Sequence, residues 1–291
     1  MTKILFTDLD GTLLNDASEI SAYSKDVLIR MVEAGHKLVF SSGRHQASVM
    51  DVVKAADIDI PGLYITANNG SVVYDCATHK NICEYRVSRE MTDILWKMSI
   101  EYGVHIQTYD DTGIISCAED EALEVYTSRI HMPVKVTEKP VELLDNPPFK
   151  LLGIELHDHA KIRRLCDDIN AMYGDEVQAV FSQVNYLEIF NRKAGKGTAL
   201  VWLCDHLGIP VADSYAAGDA MNDMSMLKAA GHGVAMKNAD PAIFEAAEFI
   251  TEFTNDEDGL ARFIEKEIIG CTGNVYGTHC DALGYTEMHL G

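Results

Sequence analysis

Two aspartates near the beginning of the chain carry the strongest chemical signal in the sequence. Asp8 and Asp10 follow the apolar run 4–6, and Gly11 behind them allows the backbone to turn tightly. Side chains two residues apart on an extended chain share a face, so the two carboxylates could address one small volume. Like charges at that distance require a cation or a proton, and an all-oxygen site suits Mg²⁺. A solvated Asp-Gly turn is the alternative for this motif taken alone.

A small hydroxyl and a glycine follow a second apolar run. The run 37–40 leads through Ser41 into Ser42 and Gly43, and Arg44 is next. A hydroxyl and a backbone N–H at a turn from strand to helix could hold a phosphate oxygen. A serine that only caps the helix is the alternative.

A lysine stands between two glycines much later in the chain. Lys196 precedes the predicted helix 199–207, and its ammonium could neutralise both a carboxylate and a phosphate. A solvated surface lysine is the alternative for this residue alone.

A further polar cluster follows the apolar run 215–217. Asp219 and Asp223 are four residues apart with Asn222 between them, so all three would share one side of a helix that began here. Acidic residues are also favoured at helix N-termini for purely structural reasons.

Taken together, these motifs resemble the haloacid dehalogenase superfamily of phosphotransferases, and within it the Cof-type hydrolases with a large α/β cap (C2, type IIB). The matching stretches occur in the family's order and are 8–13, 42–44, 196–200 and 218–223. The likeness spans about residues 3 to 268. It implies a Rossmann-like parallel-sheet core with an inserted α/β cap.

The resemblance also implies catalytic roles for individual residues. Asp8 would be the nucleophile that forms an aspartyl phosphate, and Asp10 would be the general acid that later activates water. Lys196 would orient Asp8 and bind the phosphoryl group. The other phosphate-binding residues would be Ser42, Gly43, Arg44 and Asn222.

The implied cofactor is Mg²⁺. Its ligands would be the Asp8 carboxylate, the main-chain carbonyl of Asp10 and Asp219, with Asp223 completing the site. Asp223 is expected to orient Lys196 or metal-bound water more than to ligate the ion directly. Mg²⁺ and a lysine would together offset the repulsion between an anionic nucleophile and a phosphate ester.

Composition limits the classes of partner. The chain has 291 residues, with 24 basic and 45 acidic side chains and a formal charge of −21. Such a charge argues against a broad basic surface for nucleic acid or an anionic membrane. No apolar stretch reaches the length of a membrane helix, and the seven scattered cysteines favour free thiols and a cytoplasmic location.

Strand and helix patterns alternate in the first part of the chain, as in a parallel sheet with crossover helices. The predicted elements there are a strand at 3–8, a helix at 21–34, a strand at 37–41, a helix at 45–56 and a strand at 63–66. Strand-like runs and further helices, among them 119–130, follow. We therefore predict a catalytic core of residues 1–82 and 191–270, an inserted cap of 83–190, and a C-terminal extension of 271–291.

The sequence thus predicts a phosphoric monoester hydrolase that acts on a small organic phosphate, with a sugar phosphate as the favoured class. We expect a monomer or a homodimer. A phosphomutase that uses the same aspartyl phosphate, and a phosphate-binding regulatory module without turnover, are the alternatives. Candidates for reading the leaving group are Tyr186, Glu188, Asn191, Arg44, His45 and Asn69.

Overall fold

The computed structural model describes residues 1–110, 112–128 and 132–270. The strands are β1 (Ile4–Thr7), β2 (Lys37–Ser41), β3 (Leu63–Ala67), β4 (Val72–Asp75), β5 (Lys80–Glu84), β6 (His105–Tyr109), β7 (Ile114–Ser116), β8 (Val134–Val136), β9 (Lys150–Ile154), β10 (Val177–Gln183), β11 (Tyr186–Asn191), β12 (Ser214–Gly218), β13 (His232–Ala235) and β14 (Phe249–Ile250). The α-helices are α1 (Ala22–Glu33), α2 (Gln46–Ala56), α3 (Arg89–Glu101), α4 (Glu121–Thr127), α5 (Pro140–Leu143), α6 (His159–Tyr173), α7 (Lys196–Leu207), α8 (Met224–Ala229) and α9 (Gly259–Phe263).

The first sheet has the strand order β14-β13-β12-β1-β2-β3-β4-β5. Its strands run parallel from β14 to β3, whereas β4 and β5 are antiparallel to their neighbours. The central strands β1 and β2 are mainly apolar and, apart from the half-buried Lys37, buried along their whole length, as expected for strands covered by helices on both faces. Helices α1, α7 and α9 contribute buried side chains to the same core.

The second sheet lies between β5 and α7 in the chain and has the order β10-β11-β9-β6-β7-β8. It is antiparallel except for the β7–β8 pair. Apolar side chains of α3 and α6 pack on one of its faces and form a separate hydrophobic core. Strands β9 and β11 carry charged side chains, Lys150 and Glu188, on the opposite face, where the two residues are diagonal neighbours.

The predicted α/β class is confirmed. The elements predicted before residue 67 agree with the structure to within one residue at every end. Strand β5, which ends at Glu84, belongs to the first sheet. The domain bounds of 1–82 with 191–270 and of 83–190 stay a prediction.

Some sequence predictions fall on residues that the structure does not describe. The helix predicted over 119–130 is observed as Glu121–Thr127, and its predicted end lies outside the described residues. The extension 271–291 also lies outside them, together with two of the seven cysteines. The other five, Cys76, Cys83, Cys117, Cys166 and Cys204, form no disulfide. Within the described ranges, none of the helices has the length and apolar character needed to cross a bilayer.

Candidate active site

Four neighbouring strands of the first sheet bring the predicted site residues to one edge. Asp219 follows β12, Asp8 follows β1, Ser42 follows β2 and Asn69 lies just beyond β3. These strands are adjacent in the order β12-β1-β2-β3 and run parallel, so their carboxyl ends meet at the same edge. The carboxyl edge of such a sheet is where α/β proteins bind ligands.

Lys196 joins two carboxylates from distant parts of the chain. It is the first residue of α7, and its Nζ lies 2.6 Å from Asp8 Oδ1 and 2.6 Å from Asp223 Oδ1. Only 2% of the Lys196 side chain is exposed. Burial lowers the pKa of Lys196, but the two carboxylates more than offset burial and hold the pKa above its ordinary value. Lys196 is therefore a fixed positive charge beside Asp8.

Asp223 uses both of its oxygens inside the protein. Oδ1 accepts from Lys196, and Oδ2 accepts from the backbone N–H groups of Asp219 and Ala220, both at 3.1 Å. Asp223 ends a short 3₁₀ turn, Met221–Asp223, that precedes α8. This arrangement holds both the lysine and the loop of Asp219 in place.

Asp219 is fixed by the loop that follows β1. Its Oδ1 accepts a hydrogen bond of 3.1 Å from Thr12 Oγ1. Gly11, at φ +72°, packs so closely that a Cβ on it would lie 2.4 Å from Asp219 Oδ2. A glycine is needed at this position both for its backbone conformation and for this close approach.

The three carboxylates of Asp8, Asp219 and Asp223 offer ligand atoms that all lie within 4.8 Å of one another. Burial, which outweighs the opposing effect of Lys196, raises the pKa of Asp8 to about 7. Burial and the nearby Asp223 likewise raise the pKa of Asp219 to about 6. Three carboxylates facing one ammonium leave an excess of negative charge, and hard oxygen donors suit a divalent cation. The donor set therefore fits the predicted metal. Lys196 donates to only one oxygen of Asp8 and to neither oxygen of Asp219, so both carboxylates have oxygens left for a cation.

Asp10 does not join this cluster through its side chain. The backbone turns at Gly11, and the Asp10 carboxylate forms a two-point ion pair with Arg44, with Nε–Oδ2 at 2.8 Å and Nη2–Oδ1 at 2.5 Å. The Asp10 side chain is 58% exposed, against 8% for Asp8. The two carboxylates thus face different partners. The expected metal contact of the Asp10 main-chain carbonyl stays a prediction.

The predicted phosphate loop lies between the two sheets. Ser42 is buried, and its Oγ accepts from the backbone N–H of Arg44 at 3.1 Å. The carbonyl of Gly43 accepts from Lys150 Nζ at 3.0 Å. Asn222 and Lys196 line a cavity of about 380 Å³ that also reaches the second sheet.

Sequence reasoning missed Lys150, which bridges the two sheets. Its Nζ donates to Glu188 Oε2 at 2.8 Å, and the same oxygen accepts from Asn69 Nδ2 at 2.7 Å. Glu188 and Asn69 were predicted as candidates for reading the leaving group. The sequence did contain a signal for Lys150. It precedes Leu152 and Ile154 by two and four residues, and this alternation predicts that all three side chains lie on the same buried face of a strand.

The site combines a carboxylate after the central strand of a parallel sheet with a buried lysine in contact with it. An acidic cluster lies at the same edge of the sheet. This combination defines a hydrolase of the haloacid dehalogenase type. The chain belongs to the family of haloacid dehalogenase-like hydrolases, whose model matches residues 5–264. The predicted family is therefore confirmed.

Individual relatives extend over nearly the same length. The chain is 29% identical to the 5-amino-6-(5-phospho-D-ribitylamino)uracil phosphatase YwtE of Bacillus subtilis, over 92% of this chain and 99% of that protein. It is 27% identical to the HMP-PP phosphatase of Yersinia pestis, over 84% and 86% of the two chains. Among solved structures, a haloacid dehalogenase-like hydrolase from Bacteroides thetaiotaomicron is 29% identical, with a TM-score of 0.80 and coverage of 91% and 98%. The predicted enzyme class, a phosphoric monoester hydrolase, is confirmed.

Proposed function

We propose that the protein is a Mg²⁺-dependent phosphatase that hydrolyses a small organic phosphate monoester through an aspartyl phosphate on Asp8. The observation that carries this proposal is the buried contact of Lys196 with both Asp8 and Asp223. The two carboxylates are 188 and 27 residues from Lys196 in the sequence, and a surface lysine or a simple helix cap would not require either of them. The arrangement instead holds the Asp8 carboxylate in a fixed orientation beside a buried ammonium.

In the first step, an oxygen of Asp8 attacks phosphorus and the bond from phosphorus to the leaving-group oxygen breaks. That oxygen takes a proton from Asp10. In the second step, Asp10 removes a proton from water, which attacks phosphorus and displaces the Asp8 carboxylate, so that inorganic phosphate is released. Covalent catalysis of this kind divides one hard hydrolysis into two easier steps.

The residues proposed to hold Mg²⁺ are Asp8, Asp219 and the main-chain carbonyl of Asp10. When bound, the ion would withdraw charge from the phosphoryl group and offset its repulsion by Asp8. Asp223 has a different role, because both of its oxygens already accept hydrogen bonds. We assign it to orienting Lys196.

Ser42, Gly43, Arg44, Lys196 and Asn222 are proposed to bind the phosphoryl group. In the structure Arg44 pairs with Asp10. A phosphate that attracted the Arg44 guanidinium would release the Asp10 carboxyl group for proton transfer. The ion pair thus gives a physical reason for Asp10 to act only when substrate is present.

The favoured substrate class is a phosphorylated sugar or polyol. Support comes from the curated relative whose name describes a phosphorylated ribitylaminouracil as its substrate. The cavity beside Lys196 is large enough for a small organic group and is lined by carbon-rich as well as polar side chains. A cytoplasmic location and a monomeric or dimeric state stay predictions.

The experiment is a phosphate-release screen over sugar, polyol, vitamin and nucleotide phosphates, with Mg²⁺ or with EDTA. We expect at least one ester to give phosphate release that EDTA abolishes, because the acidic cluster would repel a phosphate in the absence of a divalent cation. Asp8→Asn should lower that release by at least about 10³-fold, since the nucleophile is lost.

The matched control is Asp57→Asn, which makes the same change at an exposed carboxylate on the C-terminal cap of α2. It should retain the activity of the unaltered protein. If no ester gave release above the Asp8→Asn variant, the proposed turnover would be wrong and a non-catalytic phosphate-binding module would replace it.

A further inference from the structure

One carboxylate on the second sheet faces the cavity beside Lys196 with only half of its hydrogen-bonding capacity in use. Glu188 is 8% exposed and lines that cavity together with Lys196 and Asn222. Lys150 and Asn69 both donate to its Oε2, at 2.8 and 2.7 Å. Within the described part of the chain, no side chain donates to Oε1.

The surroundings of Glu188 fix its position. Lys150 is itself buried and is anchored to the first sheet by its hydrogen bond to the Gly43 carbonyl. Asn69 stands on a loop of the first sheet at φ +57°, and its amide holds Glu188 from the other side. A carboxylate held by two donors from two sheets loses little freedom when a ligand binds its second oxygen.

The rest of the cavity has a different chemical character. Its apolar surface comes from both sheets: the second sheet contributes Val180 and Phe190, and the segment after β12 of the first sheet contributes Met221 and Met224. Gln178, which also lines the cavity, already donates to the Ala194 carbonyl at 2.6 Å. The free oxygen of Glu188 is therefore a hydrogen-bond acceptor set among largely apolar neighbours, at the end of the cavity that the second sheet forms.

We propose that Oε1 of Glu188 accepts a hydrogen bond from a hydroxyl or N–H group of the leaving group, so that the enzyme selects phosphate esters of hydrogen-bond-donating alcohols. This inference rests on the proposed phosphatase function. Glu188 is then a specificity-determining residue, and Lys150 and Asn69 are positioning residues that act through it. An ester without a donor would leave the buried carboxylate oxygen unpaired, which selects against that ester.

The test compares two esters with five carbons each, ribitol 5-phosphate and n-pentyl phosphate, with 4-nitrophenyl phosphate as a measure of the chemical step. The unaltered enzyme should have a kcat/KM at least about 10-fold higher for ribitol 5-phosphate than for n-pentyl phosphate. Glu188→Gln should lower kcat/KM for ribitol 5-phosphate by about 10- to 100-fold. For n-pentyl phosphate the change should stay within about 3-fold, because that ester has no donor for Oε1.

Two further variants keep the test decisive. If Glu188→Gln does not fold because Lys150 is left unpaired, Lys150→Met combined with Glu188→Gln removes both charges and should show the same selective loss. Glu155→Gln is the matched control. It removes the charge of a carboxylate that is as buried as Glu188 but pairs with Lys161, a more exposed lysine, and whose contacts lie within the second sheet and its helices. It should leave the ratio of the two kcat/KM values unchanged.

The possible failures are distinguishable. If no variant and no ester, 4-nitrophenyl phosphate included, showed Asp8-dependent release, the proposed function itself would fail. If the enzyme were active but did not prefer ribitol 5-phosphate, or if Glu188→Gln lowered kcat/KM equally for both esters, the role of Glu188 in recognition would be wrong.

Discussion

The lysine–carboxylate clusters around Lys196 and Lys150 are both buried, and they differ in charge balance. Around Lys196, one ammonium faces three carboxylates, those of Asp8, Asp219 and Asp223. Around Lys150, one ammonium faces a single carboxylate among the described residues, that of Glu188, and neutral groups supply the other contacts. Both lysines are almost fully buried. The first cluster has an excess of negative charge that a divalent cation would offset, whereas the second is already neutral.

The two clusters also differ in what they connect. Every partner of Lys196 belongs to the first sheet and its loops, so that cluster stays intact if the two sheets separate. Lys150 and Glu188 belong to the second sheet but bind Gly43 and Asn69 of the first. The proposed chemistry is therefore fixed on one sheet, whereas the proposed recognition of the leaving group depends on contact between the two sheets.

The largest expected effect comes from removing the lysine of the charged cluster. Lys196→Ala should lower kcat for any ester that the enzyme hydrolyses on the order of 10³-fold, because the positive charge that orients Asp8 and meets the phosphoryl group is lost. Near-UV circular dichroism in Mg²⁺ should show that the fold is retained. Lys161→Ala, at a lysine of the second sheet's helices, is the control and should leave kcat unchanged. An unaltered kcat in Lys196→Ala would contradict the assigned role.

An intermediate effect is expected from the carboxylates that carry the excess charge. Asp219→Asn should raise the Mg²⁺ concentration for half-maximal activity on the order of 100-fold, since a carboxylate proposed to bind the ion directly is lost. Asp223→Asn should change that concentration much less and should lower kcat instead, because Asp223 holds Lys196. The measurement is a Mg²⁺ titration of the rate, supported by the rise in melting temperature that Mg²⁺ causes. Equal shifts in both variants would show that the two aspartates share one role.

Much of the first sheet could be predicted from the sequence, because its strands are short apolar runs separated by helices of clear periodicity. The residue types of the site were predictable for the same reason, as Asp8, Ser42 and Asp219 each follow such a run. Strand β10 and the β4–β5 hairpin were not predicted, since polar residues interrupt these strands and leave at most three consecutive apolar residues in each.

The side-chain partners were less predictable than the residue types. Asp8 and Asp10 were expected to address one volume, but β1 ends at Thr7 and the chain turns over Leu9–Leu13. The Asp10 carboxylate there pairs with Arg44, 34 residues away. The Lys150–Glu188 pair depends on the register between β9 and β11, which the sequence around either residue does not reveal. Local sequence therefore located the chemistry, and tertiary contacts decided which charges pair.

The smallest of these effects concerns the glycine that lets the first cluster close. Gly11→Ala should lower the free energy of unfolding by about 1–2 kcal/mol, the cost of a Cβ at positive φ. It should also weaken Mg²⁺ binding, because the new Cβ would lie 2.4 Å from Asp219 Oδ2 and displace that carboxylate. Urea unfolding and the Mg²⁺ titration measure the two quantities separately.

The matched control for this glycine is Gly208→Ala at the end of α7. Gly208 has a similar φ of +65°, but a Cβ there would meet no atom within 4 Å. It should show the loss of unfolding free energy due to positive φ alone, with an unchanged Mg²⁺ requirement. If the two variants behaved alike in the Mg²⁺ titration, close packing of Gly11 against Asp219 would not contribute to the metal site, and the excess charge alone would have to define it.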